Sequence, residues 1–299
     1  MRVHSLDEFE PGAEGTTLAL GFFDGFHRGH QAIVAEAIRR GPATVFTFRN
    51  HPASMLDSRR CPPLLTTFPE RVALLEQFGA EVVYRDFDRA FSQVSPEAFA
   101  SEVLAQLLGA RRVVVGENYR FGHKAAGDAA LLAKLGDELG FEVTVVTPVK
   151  DGDWISSTRV RALVEAGELA MAGELLGRPY FLTSTVERGD QRGRQLGFPT
   201  ANLPLPEEKV IPQRGVYAVT VTHRQAQFGG VANLGIRPTF DGTRPLLEVH
   251  LLDFDGDLYD QDLTVDFVKR LRPEQKFPGI EALVAQIQTD VNQARAVLR

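Results

Sequence analysis

Residues 21–30 read GFFDGFHRGH. His27 and His30 are three apart, so on an incipient helix they share a face. Gly21, Gly25 and Gly29 allow tight turns and close approach of backbone to a ligand. Two imidazoles at a helix start suit a phosphate bearing developing charge. A metal pair, or two ordinary surface histidines, are the alternatives for the same spacing. Asp24 has two open readings, orienting a histidine or orienting a loop. A second stretch, ISSTRVR (155–161), opens a helix with Ser156, Ser157 and Thr158, and Arg159 and Arg161 follow. It reads as ordinary N-capping or as a cradle for a triphosphate. In Pro199-Thr200-Ala201-Asn202, a hydroxyl and an amide oxygen stand at i and i+2. On an extended chain they point the same way. Two neutral oxygens suit Mg²⁺, which keeps waters and phosphate oxygens as its other ligands; a plain turn is the alternative. In LLEVHLL, alternation puts Leu247, Val249 and Leu251 on one face and Glu248, His250 and Leu252 on the other. Glu248 is either a solvent-facing carboxylate or a general base for a hydroxyl.

Two different rhythms must position these groups. Up to about residue 175, short apolar runs alternate with helical patterns. LALGFF (18–23), ATVFTF (43–48), EVVY (81–84), RRVVVGE (111–117) and FEVTVVTPV (141–149) read as strands. QAIVAEAIRR (31–40), PERVALLEQFG (69–79), SPEAFASEVLAQLLG (95–109) and AALLAKLGDELG (129–140) read as helices. Strict alternation predicts a doubly wound parallel α/β sheet, whose ligands sit beyond the carboxyl ends of the strands. SSTRVRALVEAG (156–167) and ELAMAGELLG (168–177) are two short helices. Strands then follow one another: YFLTSTVERG (180–189), GVYAVTVTH (215–223), FGGVANLG (228–235), LLEVHLLDF (246–254) and LTVDFVKRL (263–271). One helix, 278–299, closes the chain, with Ile280, Leu283, Val284, Ile287 and Val291 at helical spacing for core packing. The pattern predicts an antiparallel β-barrel with a terminal helix. The boundary falls near 178–182, giving domains 1–180 and 181–299.

The chain has 299 residues, 43% hydrophobic and 24% charged, which excludes a collagen-like, disordered or disulfide-scaffold protein. A net charge of −6 disfavours nucleic acid as the main partner. The single cysteine, Cys61, forms no intramolecular disulfide and suits a reducing cytoplasm. The opening MRVHSLDEFEPG lacks a signal-peptide core, and no apolar run is long enough to span a membrane. No stretch matches a P-loop, and Gly189, Gly193 and Gly197 miss the dinucleotide spacing, so a P-loop kinase and a nicotinamide dehydrogenase lose support.

GFFDGFHRGH together with ISSTRVR resembles the HxGH nucleotidyltransferases. RGRQLGFPTANL (192–203), GVYAV (215–219), GVANLGIRPTF (230–240), LEVHLLDF (247–254) and LRPEQKF (271–277) narrow the resemblance to the bacterial bifunctional riboflavin kinase/FMN adenylyltransferases. It runs from about residue 16 to the end. It implies that one site phosphorylates riboflavin with Mg–ATP and the other adenylylates FMN with ATP to give FAD and pyrophosphate. It implies that His27 and His30 stabilise the α-phosphate, and that Ser156, Ser157, Thr158 and Arg161 hold the β- and γ-phosphates. Gly21, Asp24, Gly25 and Gly29 would line the same ATP site, with Asn118 of VGENYRFG near the flavin. LTTFPER (65–71) would border the flavin pocket. FRNHP (48–52) resembles the family's F-x-P-H-P but carries Asn50 where proline is usual. In the second site, Gly193 and Arg194 would lie over the nucleotide phosphates, Thr200 and Asn202 would hold Mg²⁺, and Glu248 would take the proton from the riboflavin 5′-hydroxyl. Arg272 resembles an arginine near the substrate, or else pairs with Glu274 at the surface. Two rivals are an adenylyltransferase for another phosphate acceptor, such as phosphopantetheine, and a flavin-binding regulator without catalysis. PTAN together with Glu248 argues against the first. His27, His30, Thr200, Asn202 and Glu248, all intact, argue against the second. Oligomeric state does not follow from the sequence.

Overall fold

Every residue of Thr16–Leu20 is buried, so this strand is covered on both faces. Such a run needs a parallel sheet with helices above and below. The computed structural model describes residues 3–56, 61–189, 193, 196–239 and 242–299, with residues 56, 237–239 and 242–244 described by backbone alone. Its first sheet holds β1 (Val3–Ser5), β2 (Thr16–Leu20), β3 (Ala43–Phe48), β4 (Glu81–Arg85), β5 (Ala110–Gly116) and β6 (Glu142–Val146). The order is β1-β4-β3-β2-β5-β6, and every pairing is parallel. The three-residue edge strand β1 is too short to show a period in the sequence.

Alternate residues bury opposite faces. Leu18, Leu20, Val113 and Val115 join Val103, Leu104, Leu132 and Leu135 on one side. Ala19, Val45, Val82 and Val114 meet Val34 and Ala37 of α1 (Arg28–Arg40), and Val72 and Leu75 of α2 (Phe68–Gln77), on the other. Helix α2 starts on a capping box: Thr67 and Glu70 each bond the other's backbone amide. Helix 96–107 begins on the Ser95 cap, but residues Phe99–Leu107 are wound as a π-helix, which the spacing did not foretell. The chain runs β2 to β3 to β4 in one direction, then returns to place β5 on the other side of β2. The strand order reverses between β2 and β5, and that crevice is where an open α/β sheet takes its ligand.

Two compact units divide at Ser157/Thr158. The expected boundary at 178–182 falls later, between α4 (Leu169–Leu176) and the second sheet; α3 (Ser157–Ala166) precedes it. Helix α4 packs on strands of the second sheet and is grouped with it. The second sheet is antiparallel throughout: β7 (Tyr180–Thr185), β8 (Ala201–Pro204), β9 (Gly215–His223), β10 (Ala226–Thr239), β11 (Gly242–Leu251) and β12 (Asp262–Arg272), in the order β7-β12-β9-β10-β11-β8. It curls until Glu187, just past β7, pairs with Asn202 of β8. The expected barrel is therefore a curled sheet drawn together at that point.

Helix α5 (Ile280–Val297) lies on this sheet, with Val291, Ala294 and Ile287 against Val216, Ala218 and Val231. Its first turn does not join that core. Ile280 is 67% exposed, so helical spacing over-counted the buried face by a turn.

Candidate functional sites

The first site grows from the end of β2. Phe23 and Phe26 both adopt left-handed backbone, with φ of 58° and 42°, and Gly25 joins them at 77°. Bulky residues rarely do this. Both phenylalanine rings are buried, and that packing holds the strained turn. A Cβ on Gly21 would meet the Phe23 ring at 2.9 Å, so glycine is required where the turn begins.

Asp24 is buried under this turn and is a loop anchor. Its carboxylate accepts from the Leu65 amide at 2.9 Å and from the Thr66 amide at 3.0 Å. The Gly25 amide in turn donates to Thr66 Oγ1. Of the two readings of Asp24, the loop is what its carboxylate holds. These bonds also tie LTTFPER to the histidine turn.

His27 is the N-cap of α1, and its Nδ1 accepts the His30 amide proton at 3.3 Å. A neutral ring bonded this way carries its proton on Nε2 and presents a donor. Burial lowers its pKa from 6.5 to about 4, against an opposing pull from the Asp24 carboxylate. The His30 ring stacks on it, 3.6 Å between centroids and 17° between planes. Burial, then His27, then the Arg71 guanidinium hold His30 well below the ordinary histidine range. Parallel stacked rings do not converge on one ion, and no cluster of three metal-binding side chains occurs among the described residues. The two rings lie face to face, and burial is the largest cause lowering the pKa of each.

Arg71 is a residue that spacing missed. It is fully buried, its guanidinium sits 4.2 Å from the Phe22 ring centroid, and it donates to the Phe48 carbonyl at 2.6 Å. The other neighbour of Phe22 is the His51 ring, edge-on at 4.7 Å. Asn50, where the family pattern has proline, pairs both ways with the Phe87 backbone, at 2.8 and 3.0 Å. An amide thus fixes the turn that proline would stiffen.

Ser157 opens α3, and its hydroxyl donates to the Asp24 carbonyl at 2.9 Å, bringing the second motif to the first. Gly29 faces the His27 ring and the Ile155 carbonyl. Ser156 and Arg161 are half-buried and Thr158 is exposed. Asn118 is exposed in the turn after β5, across the crevice from β2, with its Oδ1 against Gly116.

The second site lies on β8, β10 and β11. Asn202 is the register partner of Glu248, and Glu248 is also the partner of Asn233. Directly opposed residues share a face, so Glu248 stands between two amides, with Asn233 Nδ2 3.5 Å from its Oε2. Leu247, Val249 and Leu251 are buried on the other face, as alternation predicts. Gly189 leaves room for the Asn202 amide: a Cβ there would come within 2.4 Å of Nδ2. Gly193 is packed against the Phe198 carbonyl and the Thr200 hydroxyl. His250 fixes the approach to Thr200, because its Nδ1 lies 2.8 Å from the Pro199 carbonyl. Thr200 is exposed and precedes β8. Arg194 lies outside the described residues.

Arg272 is ion-paired, as the surface alternative had it, but to a different carboxylate. Its partner is Asp290 of α5 rather than Glu274: Nε donates to Oδ1 at 2.9 Å and Nη2 to Oδ2 at 2.7 Å. Asp290 is 2% exposed, and Gln286 Nε2 also donates to it at 2.9 Å. This fork pins the terminal helix to the end of β12.

Asn202 and Glu248 offer hard oxygens on one face of the sheet, and Thr200 adds a hydroxyl two residues before Asn202. That donor chemistry suits Mg²⁺, provided phosphate oxygens and waters complete the shell.

A family model described as FAD synthetase matches residues 10–159, and one described as riboflavin kinase matches residues 176–298. A protein of Escherichia coli K12 named bifunctional riboflavin kinase/FMN adenylyltransferase is 39% identical over 98% of this chain and 95% of its own length. A Bacillus subtilis protein of the same name is 34% identical over 93% and 91%. A crystal structure described as a macrolide-efflux protein from Streptococcus pneumoniae superposes with a TM-score of 0.87, at 30% identity over 99% of both chains. Among the described residues here, no helix is long and apolar enough to cross a membrane.

Proposed function

The chain belongs to the bifunctional riboflavin kinase/FMN adenylyltransferases, and we propose how its two sites divide the work. The enzyme phosphorylates riboflavin with ATP to FMN, then adenylylates FMN with a second ATP to FAD. The allocation of residues is our reading, and the position of Glu248 between Asn202 and Asn233 supports it most directly.

In the second unit, Glu248 accepts the proton of the riboflavin 5′-hydroxyl as its oxygen attacks the γ-phosphorus of ATP; ADP leaves. Thr200 and Asn202 hold Mg²⁺, which neutralises phosphate charge when bound. Gly193 serves the nucleotide phosphates. Arg272 acts by holding α5 in place.

In the first unit, the FMN phosphate attacks the α-phosphorus of ATP and pyrophosphate leaves. His27 Nε2–H and the His30 ring donate to the oxygens that gain charge. Gly21, Gly25 and Gly29 let backbone approach the nucleotide. Ser156 and Ser157 take the departing phosphates where α3 begins. Asn118 faces the flavin side. The lone reduced cysteine and the substrates fit a cytoplasmic enzyme.

Purified protein given riboflavin, ATP and Mg²⁺, with flavins separated by chromatography, tests the allocation. Glu248→Gln should leave riboflavin unchanged yet convert supplied FMN to FAD. His30→Ala should accumulate FMN. The opposite pattern in either variant overturns it.

A further inference from the structure

The loop that leaves β12 carries a carboxylate onto the kinase face. Arg272 is fixed by Asp290 and by its own bond to the Pro273 carbonyl at 3.0 Å. Two residues on, Glu274 Oε1 sits over Gly235, 2.6 Å from where a Cβ would stand. The Asn233 amide nitrogen is 3.4 Å from that same point and 3.5 Å from Glu248 Oε2. Asn233 and Gly235 alternate onto one face of β10. One row therefore reads Glu248, Asn233, Glu274, and the bare glycine makes room for the last. Glu274 also borders a groove of about 680 Å³ that it shares with other charged side chains, among them Glu165, Arg214 and Arg270.

This row of polar groups leading to Glu248 suits the acceptor's chain. Riboflavin has a flat ring, then a chain of secondary hydroxyls, then the terminal hydroxyl that is phosphorylated. We propose that Glu274 binds the secondary hydroxyls of the acceptor chain and so places the terminal hydroxyl at Glu248; the inference rests on Glu248 being the kinase base. A carboxylate accepts from neighbouring hydroxyls with both oxygens, and hydrogen bonds to a charged group are the stronger kind. No covalent step involves Glu274.

Kinase kinetics on the full chain test it, with two acceptors: riboflavin, and a flavin whose chain bears only the terminal hydroxyl. Glu274→Ala should raise KM for riboflavin by about tenfold or more, with kcat little changed. KM for the stripped acceptor should not move. Gly235→Ala should act alike, because its Cβ displaces only the end of a flexible side chain. The double variant should be no worse than Glu274→Ala alone. An unchanged riboflavin KM in Glu274→Ala, an equal rise for both acceptors, or additive losses would overturn the proposal. Glu248→Gln that retains turnover would instead remove the base assignment, and the two-acceptor comparison would still judge Glu274.

Discussion

Asn202 stands directly opposite Glu248 on adjacent antiparallel strands. The amide we assign to the metal and the carboxylate we assign to the hydroxyl are thus held by one ladder. Their spacing is set by backbone hydrogen bonds rather than by loop conformation, and a rigid element is the better platform for aligned groups.

Gly189→Ala should therefore impair the kinase without touching the base. The new methyl would push the Asn202 amide aside. The Mg²⁺ concentration for half-maximal FMN formation should rise, as in Asn202→Ala and Thr200→Ala. FAD formation from supplied FMN should stay normal. A metal titration of both half-reactions checks this; an unaltered requirement in all three variants contradicts the metal assignment.

Glu248→Gln keeps the shape and loses the proton acceptor. FMN formation should fall roughly 10²–10⁴-fold, the usual worth of a positioned base. With saturating substrates, a loss below about tenfold would identify Glu248 as a bystander.

Much of this was legible in the sequence, and the losses have physical causes. Strand and helix periods gave the parallel sheet and its switch in rhythm. Alternation gave the face of Glu248. Arg71 was missed because a buried arginine leaves no periodic signature; its reason is the Phe22 ring and the Phe48 carbonyl, distant in sequence. The Asp290 partner of Arg272 was missed likewise. Glu274 is two residues away and looked the natural mate, but chain direction after β12 sends it to Gly235 instead.

The two histidines make stability depend on pH. Their folded pKa values lie below 6.5, so the unfolded chain binds more protons between about 6.5 and 4. Their contribution is full above 6.5 and is lost as pH falls toward 4. For His27 the loss reaches about 3 kcal/mol at pH 4. Denaturant unfolding from pH 7 to 4.5 should show a steeper decline in the wild type than in His27→Asn, where the cap is kept and only His30 of the pair still titrates. Equal slopes would contradict the buried neutral pair.

Asp290→Ala should strip Arg272 of its fork and cost about 3 kcal/mol, since it leaves a partly buried charge unpaired. Replacing both, as Arg272→Met with Asp290→Leu, should recover much of that loss. Urea midpoints of the two variants decide it; a double variant as weak as the single would mean the fork contributes more than charge compensation.

The reversal of strand order between β2 and β5 has a consequence for biosynthesis. The ribosome delivers the histidine turn early, the facing wall of the crevice only with β5, and the Ser157 hydroxyl that caps the turn's Asp24 carbonyl last of all. The Phe22 ring and Phe48 carbonyl that hold Arg71 are made before it, so among these contacts the Ser157 bond is the one the turn waits for. In chain order, the crevice around the histidine turn is thus closed only when the end of its unit has been made.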